Sequence, residues 1–316
     1  LYIRDSQPTR KGVQIGIHAW TRSNAVFEYD PNTKTLVDTK ISGPTPVDMS
    51  GIEIKNVKVK SHDGVMLPLV ILHKKSLQLD GTSALLMRGY GAYGINGTSP
   101  FFDSKDLPWL ERGGIVAFAG VRGGGEYGEE WHLAGFQRTK PNTWKDFIAC
   151  AEYLIEQKYT APNHLGIHGG SAGGILISNA IAERPDLFSA AIINAGINNT
   201  LRYEAPENGM LNADELGSLA TEAGFKARYA MDGYQKIRNG VTYPAVLLTH
   251  GVNDARVAPW MSSKMAARLQ ASTSSNKPVL LRMDFDNGQG PGSPRTLQNE
   301  ELADTFAFLA EQLGMK

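Results

Sequence analysis

The sequence predicts a doubly wound α/β fold built on a mostly parallel β-sheet, with a short β-rich extension at the N-terminus. Short apolar runs alternate with amphipathic stretches over most of the chain, and buried strands that alternate with helices are typical of a parallel sheet covered on both faces. The 316 residues, 41% hydrophobic and 20% charged, are enough for one large core or two modest domains. The first 50 residues follow a different pattern.

These first residues contain short alternating runs at 14–20, 25–30 and 36–41, with the turn-forming stretch DPNTK between the last two. Such a pattern predicts a β-hairpin or meander. We therefore expect a β-rich extension over residues 1–50 and an α/β domain over residues 51–316.

The α/β domain opens with an antiparallel pair, in which HDGV at 62–65 supplies the turn. Six apolar strands are then predicted within residues 83–89, 114–120, 164–170, 190–196, 245–251 and 278–284. Helices are predicted near residues 142–157, 172–184, 260–271 and 299–313. The stretch 201–240 has no clear strand, and we expect it to fold as helices over the carboxyl edge of the sheet.

Composition argues against several classes of partner. Lys and Arg together number 32, as do Asp and Glu, so no overall field attracts nucleic acid. No run of about 18 apolar residues predicts a membrane span. The sequence has no pair of histidines at metal-binding spacing, so we expect no metal site. Cys150, the single cysteine, lies on an apolar helical face and is interpreted as a packing residue.

The strongest chemical signal is Gly169-Gly170-Ser171-Ala172-Gly173, which lies between a predicted strand and a predicted helix. A nucleophile elbow needs small residues two positions on either side of the serine, because the sharp turn brings neighbouring backbones into contact. The helix must also begin at once, so that its first N–H groups face a developing oxyanion. Ser171 is therefore the candidate nucleophile.

A base and a residue that orients it are expected after later strands. Asp254 follows the strand at 245–251, although an aspartate there could instead cap the next helix. After the last strand, where a histidine is expected, the glycine-rich loop FDNGQGPGSP carries Gln289.

The chain resembles the catalytic domain of the prolyl oligopeptidase family of serine peptidases from about residue 50 to the end. The motifs that carry the resemblance are GYGAYG (89–94), VRGGGEYGEEWH (121–132), GGSAGG (169–174), NDARVAP (253–259) and NGQGPGSP (287–294). The resemblance implies an α/β-hydrolase fold and a serine hydrolase that acts on peptide or ester substrates without a cofactor. It also implies that the first 50 residues are the final turns of a β-propeller, most of which this sequence does not include.

The resemblance assigns roles to individual residues. Ser171 matches the nucleophile, Asp254 the triad aspartate, and Gln289 falls on the triad histidine. Tyr90 O–H and Ala172 N–H match the two oxyanion donors, although Tyr90 could also be a packing aromatic. The positions that line the family's specificity pocket are occupied by Tyr93, Arg256 and Val257, with a surface ion pair as an alternative for Arg256. No tryptophan occurs within residues 195–235, where the family has its ring-stacking tryptophan, and this puts proline selectivity in doubt.

Gln289 is the main departure from the family pattern. An amide cannot accept a proton from serine, but glutamine is close to histidine in size and hydrogen-bonding capacity. Either the residue was engineered to silence an enzyme, which the intact motifs favour, or the chain is a natural non-catalytic relative with a binding or assembly role. A carboxylesterase on the same fold is a further alternative.

Three histidines and the N-terminal segment complete the predictions. His132, His168 and His250 are interpreted as structural, but His168 and His250 lie at the ends of predicted strands close to the site and are candidate substitute bases. The β segment at 12–42 lacks a complete propeller to pair with, which favours a homo-oligomer that uses it.

Overall fold

The large sheet of the computed structural model has eight strands in the order β12-β11-β10-β9-β7-β8-β6-β5. The structure describes residues 2–5, 9, 12–43, 45, 47–205, 209–286, 288 and 294–315. The strands of this sheet are β5 (Ile52–Lys60), β6 (Met66–Lys74), β7 (Leu85–Arg88), β8 (Ile115–Ala119), β9 (Leu165–Gly170), β10 (Ala190–Asn194), β11 (Ala245–Gly251) and β12 (Val279–Asp284). β6 pairs antiparallel with β5 and β8, and all other neighbours in the sheet are parallel.

The described helices lie on both faces and along the carboxyl edge of this sheet. They are α1 (Leu107–Glu111), α2 (Glu129–Leu133), α3 (Pro141–Glu156), α4 (Gly173–Glu183), α5 (Ala213–Leu216), α6 (Glu222–Met231), α7 (Gly233–Lys236), α8 (Trp260–Ser272) and α9 (Arg295–Leu313). The predicted doubly wound fold is confirmed, and the four long helices lie where the apolar periodicity places them. The described residues between 201 and 240 form short helices joined by turns, with no strand among them.

The core has two layers because strand side chains alternate between the two faces. Leu85 and Met87 of β7 face the layer under α3, α4 and α8, and Leu86 faces the layer under α1 and α9. Cys150 is fully buried in the first layer, and burial raises the pKa of its thiol well above the ordinary value. The thiol is therefore a packing group, as predicted.

The N-terminal residues form a separate antiparallel sheet of four strands: β1 (Tyr2–Asp5), β2 (Val13–Ile17), β3 (Ala25–Asp30) and β4 (Thr35–Asp38). Three of these strands match the alternating runs, and β1 does not follow from them. The segment contacts the large sheet through Trp20, whose ring centroid lies 4.6 Å from that of Phe118.

No described helix is both long enough and apolar enough to cross a bilayer. Within the same part of the chain, no three His, Cys, Asp or Glu side chains are grouped so that they could hold a metal ion.

Candidate active site

Ser171 lies in a sharp turn between β9 and α4, with a φ of 53°. This left-handed conformation is strained for a residue with a side chain. The turn is also crowded, since a Cβ on Gly169 would lie 2.8 Å from the carbonyl oxygen of Gly173, and a Cβ on Gly174 would lie 2.5 Å from Cα of Gly196. The glycines around Ser171 are thus required by close backbone contacts, which is the geometry of a nucleophile elbow.

The backbone around Ser171 is fixed by the neighbouring strand and by the helix that follows. The Ser171 N–H donates to the carbonyl oxygen of Asn194 at 2.9 Å, and the Ser171 carbonyl accepts from Gly174 N–H at 2.9 Å. Ala172 is fully buried at the start of α4. Because N–H groups at a helix start have no acceptor within their own helix, the Ala172 N–H can be directed at a bound group.

Tyr90 reaches the same point from the loop that follows β7. A Cβ on Gly173 would lie 3.1 Å from the Gly89 carbonyl oxygen and 3.4 Å from Cδ2 of Tyr90, so the loop packs directly against the start of α4. Burial raises the pKa of the Tyr90 hydroxyl, and a hydrogen-bonding interaction with Ser171 opposes this only in part. The hydroxyl therefore stays protonated at neutral pH and can act as a donor.

Asp254 has two carboxylate oxygens in different surroundings. Oδ1 accepts the backbone N–H groups of Arg256 (2.8 Å) and Val257 (2.9 Å). Burial alone would raise the pKa of Asp254, but its interactions with His250 and with these two N–H groups outweigh burial and lower the pKa. Oδ2 is buried and accepts no hydrogen bond from the described residues. Asp254 is therefore ionised, and one of its oxygens is left for a further donor.

His250 is the described histidine nearest to that oxygen, since its Nε2 lies 3.3 Å from Oδ2 of Asp254. Nε2 is also 2.9 Å from the carbonyl oxygen of Val257, which can only accept, so Nε2 carries the proton. Nδ1 lies 2.7 Å from the hydroxyl of Ser262 and in a neutral ring accepts from it. Both ring nitrogens are thus occupied, which favours the structural interpretation of His250.

His168 lies on β9 and lines a cavity of about 460 Å³ between the sheet and α9. Burial, aided by the charge of Arg88, lowers the pKa of His168 to about 3. The ring therefore stays neutral at working pH. The cavity lining includes Gly170 and Asn194 but not Ser171.

Gln289 itself lies outside the described residues. Its neighbour Gly288 is described, and a Cβ there would lie 2.8 Å from the carbonyl oxygen of Asn253 and 3.6 Å from the backbone nitrogen of Asp254. Gly288 therefore lies directly against the turn that carries Asp254.

A series of hydrogen bonds between side chains links Tyr93 to the backbone of Arg256, two of the remaining predicted site residues. The Tyr93 hydroxyl donates to Oδ1 of Asn212 at 2.5 Å, and Nδ2 of Asn212 donates to the Tyr203 hydroxyl at 3.2 Å. Tyr203 O–H in turn donates to the carbonyl oxygen of Arg256 at 3.1 Å. The Arg256 side chain is exposed, whereas Val257 is almost completely buried. Asn212 and Tyr203 were not predicted, since they lie in the stretch without a strand pattern.

The RGGGEYG loop supports the loop that carries Tyr90. A Cβ on Gly123 would lie 2.2 Å from the Gly91 carbonyl oxygen, and a Cβ on Gly125 would lie 2.1 Å from that of Gly94. Gly94 N–H also donates to the carbonyl oxygen of Gly123 at 3.1 Å. The motif is thus a tight structural loop, and its glycines allow two backbones to touch.

A serine in a strained turn after a central parallel strand, at the start of a helix, defines the class of α/β-hydrolases. Residues 100–316 match the sequence profile described as the prolyl oligopeptidase family. The chain belongs to this family of serine peptidases.

Named relatives agree with this assignment. The chain is similar to Prolyl oligopeptidase A from Galerina marginata, with 35% identity over 88% of this chain and 37% of that protein. It is also similar to a prolyl endopeptidase from Elizabethkingia miricola, with 34% identity over 81% of this chain and 36% of that protein. The chain thus spans less than half the length of these relatives.

Solved structures give the same result. A prolyl endopeptidase superposes with a TM-score of 0.94 at 32% identity, covering 99% of this chain and 46% of that chain. Oligopeptidase B from Leishmania major superposes with a TM-score of 0.91 at 26% identity, covering 97% of this chain and 43% of that chain.

Proposed function

We propose that this chain is the catalytic part of a serine peptidase or esterase that works through an acyl-enzyme. Ser171 is the nucleophile, and position 289 is the seat of the general base. Asp254 orients that base, while Ala172 N–H and Tyr90 O–H stabilise the oxyanion. With glutamine at position 289, this form is inactive or severely impaired.

The proposed reaction consists of acylation of Ser171 and hydrolysis of the acyl-enzyme, and both steps use the same base. Ser171 Oγ attacks the substrate carbonyl carbon and passes its proton to the base at position 289, while the two donors bind the oxyanion. The base returns the proton to the leaving amine or alcohol, and the acyl group stays on Ser171. Water then attacks the acyl group with the same base, which releases the carboxylic acid and restores the serine.

The observation that carries this proposal is Oδ2 of Asp254, which is buried and has, among the described residues, only a long contact of 3.3 Å with Nε2 of His250, whose proton is directed to the carbonyl oxygen of Val257. A buried carboxylate oxygen without a well-formed hydrogen bond is costly, and Gly288 packs against the same turn. A histidine at the adjoining position 289 would supply an N–H to this oxygen and leave its second nitrogen for Ser171. Glutamine could donate to the oxygen but could not take the proton.

The absence of tryptophan from residues 195–235 and the series of hydrogen bonds from Tyr93 to Tyr203 support an ester or a small peptide substrate over a strictly prolyl one. We expect the Gln289→His protein to hydrolyse short-chain aryl esters faster than a prolyl anilide. Preference for a prolyl over an alanyl anilide should remain below ten-fold in kcat/KM, and Ser171→Ala is the control for background hydrolysis. A prolyl preference of ten-fold or more would contradict this specificity.

Gln289 supports a second candidate function, a natural non-catalytic relative that binds peptides without cleaving them. The two candidates differ in the gene, because an engineered form has a histidine codon at this position in its natural gene. They also differ in the oxyanion donors, because selection does not keep Tyr90 O–H and Ala172 N–H in position in a relative that has long been inactive.

A further inference from the structure

A buried charged cluster lies beside the loop that carries Tyr90. Lys140 is fully buried just before α3, and Glu215 on α5 is 5% exposed. Oε1 of Glu215 lies 3.7 Å from Nζ of Lys140, and Oε2 lies 2.8 Å from Nε2 of His132. The cluster joins parts of the chain that are far apart in sequence and does not include Ser171 or Asp254.

Lys140 and Glu215 each bind a backbone group within the loop at 89–94. Nζ of Lys140 donates to the carbonyl oxygen of Gly91 at 2.5 Å, one residue after Tyr90. Oε1 of Glu215 accepts the backbone N–H of Tyr93 at 2.9 Å. The same peptide groups would otherwise be left without a partner in the interior, which is unfavourable.

The loop needs such anchors because one of its residues, Tyr93, has a strained backbone. Gly91, Tyr93 and Gly94 all have left-handed conformations, with φ of 67°, 56° and 61°. For Tyr93, which has a side chain, this conformation persists only where the surroundings enforce it. A relaxed loop would move Tyr90 away from Ser171.

Stability alone does not explain the cluster. Burial lowers the pKa of Lys140 to about 8 even though Glu215 opposes the shift, so the ammonium is held in unfavourable surroundings. Apolar residues of similar volume often replace a buried ion pair with no loss of stability. A role in positioning the loop would explain why a charged lysine and a glutamate occupy these buried positions in place of apolar residues.

We propose that Lys140 and Glu215 are positioning residues that hold the loop at 89–94 so that Tyr90 faces the oxyanion. This inference rests on the proposed function for the role of Tyr90, but the contacts that define it are independent of the base at position 289. Because Glu215 and Asn212 both lie in the segment at 209–217 and both bind Tyr93, the loop takes its active form only while that segment is docked.

The test compares the double variant Lys140→Met/Glu215→Leu with its parent, both in the Gln289→His protein. The double variant removes both buried charges together but leaves the Gly91 carbonyl and the Tyr93 N–H without these partners. We expect it to fold with a lower thermal midpoint than the parent, so activity is compared at a temperature where both proteins are folded. Ester hydrolysis should nevertheless lose at least ten-fold in kcat with KM changed by less than two-fold, because the oxyanion donor is misplaced while the substrate pocket remains. Leu154→Ala, a core change on α3 far from the loop, is the control for general destabilisation.

Hydrogen exchange of the peptide that covers residues 90–95 gives a readout that needs no catalysis. The Tyr93 amide should exchange at least ten times faster in the double variant, and also in Glu215→Leu made in the unmodified chain. A folded double variant with kcat within two-fold of the parent, or with unchanged exchange at Tyr93, would overturn the positioning role. If the Gln289→His protein shows no activity, the proposed function fails, and the exchange rates alone decide this inference.

Discussion

Lys140 shows how a single buried residue makes the stability of this protein depend on pH. Its pKa falls from 10.5 to about 8 in the folded protein, chiefly through burial. Between these two pH values the unfolded chain binds more protons than the folded protein, so the contribution of Lys140 to stability rises with pH in this window. Below about pH 7 both states are protonated, and the contribution is constant.

We therefore expect the stability of the parent relative to Lys140→Met to increase between pH 7.5 and pH 9.5. Urea denaturation of both proteins at several pH values measures this difference. Lys226→Met, which removes an exposed lysine of α6, is the matched control and should show no such trend. A flat difference for Lys140→Met across the same range would contradict the burial of a charged lysine.

At the scale of elements, the loop at 89–94 and the RGGGEYG loop at 122–128 are held together by direct backbone contact. Gly123 has a φ of 96°, and a Cβ there would lie 2.2 Å from the Gly91 carbonyl oxygen. Gly113 has a similar φ of 83° but open space around it. An alanine at either position meets the backbone strain of about 1–2 kcal/mol, and only at Gly123 does it also push the loop that carries Tyr90.

We expect Gly123→Ala to lower kcat of the Gln289→His protein at least 30-fold, and Gly113→Ala to leave the kcat of the folded fraction unchanged. Steady-state ester hydrolysis, with the folded fraction fixed by circular dichroism, measures both. Equal losses in the two variants would show that the effect is general strain and not displacement of the loop.

The elements that sequence could predict are those encoded by local patterns. Apolar runs and helical periodicity located the sheet and the long helices, and small residues around Ser171 indicated the elbow because a sharp turn requires them locally. The contact of Lys140 with Gly91 joins residues 49 positions apart, and a lysine or a glutamate in sequence is typical of a solvated surface. Such contacts depend on how the loops pack, which no local pattern records.

At the scale of the whole molecule, the N-terminal sheet has two edges, β1 and β4, without a described partner strand. Apolar side chains on or near these edges are exposed, including Ile3 (66%), Val37 (61%) and Ile41 (59%). Exposed edges of this kind favour pairing with another chain. We expect the protein to form a dimer or larger oligomer through this sheet.

Sedimentation velocity at micromolar concentration tests this expectation. The double variant Leu36→Lys/Val37→Lys, which places charges on β4, should shift the protein toward the monomer. Met66→Lys, which alters an exposed residue of the β5–β6 hairpin, should leave the distribution unchanged. A parent that is already monomeric would reject the oligomer.

The central claim is that Ser171, Asp254 and the oxyanion donors are in place and lack only a base at position 289. The most direct measurement is the rate of aryl ester hydrolysis by Gln289→His as a function of pH, with Ser171→Ala in the same background as the control. The account predicts a gain of at least ~10³-fold over the present chain, the low end of what a missing triad member removes. The rate should rise with pH through an apparent pKa of about 6–7, as imidazole loses its proton. A Gln289→His protein no faster than the present chain would contradict the account, as would rapid turnover by the present chain that is lost in His168→Ala or His250→Ala.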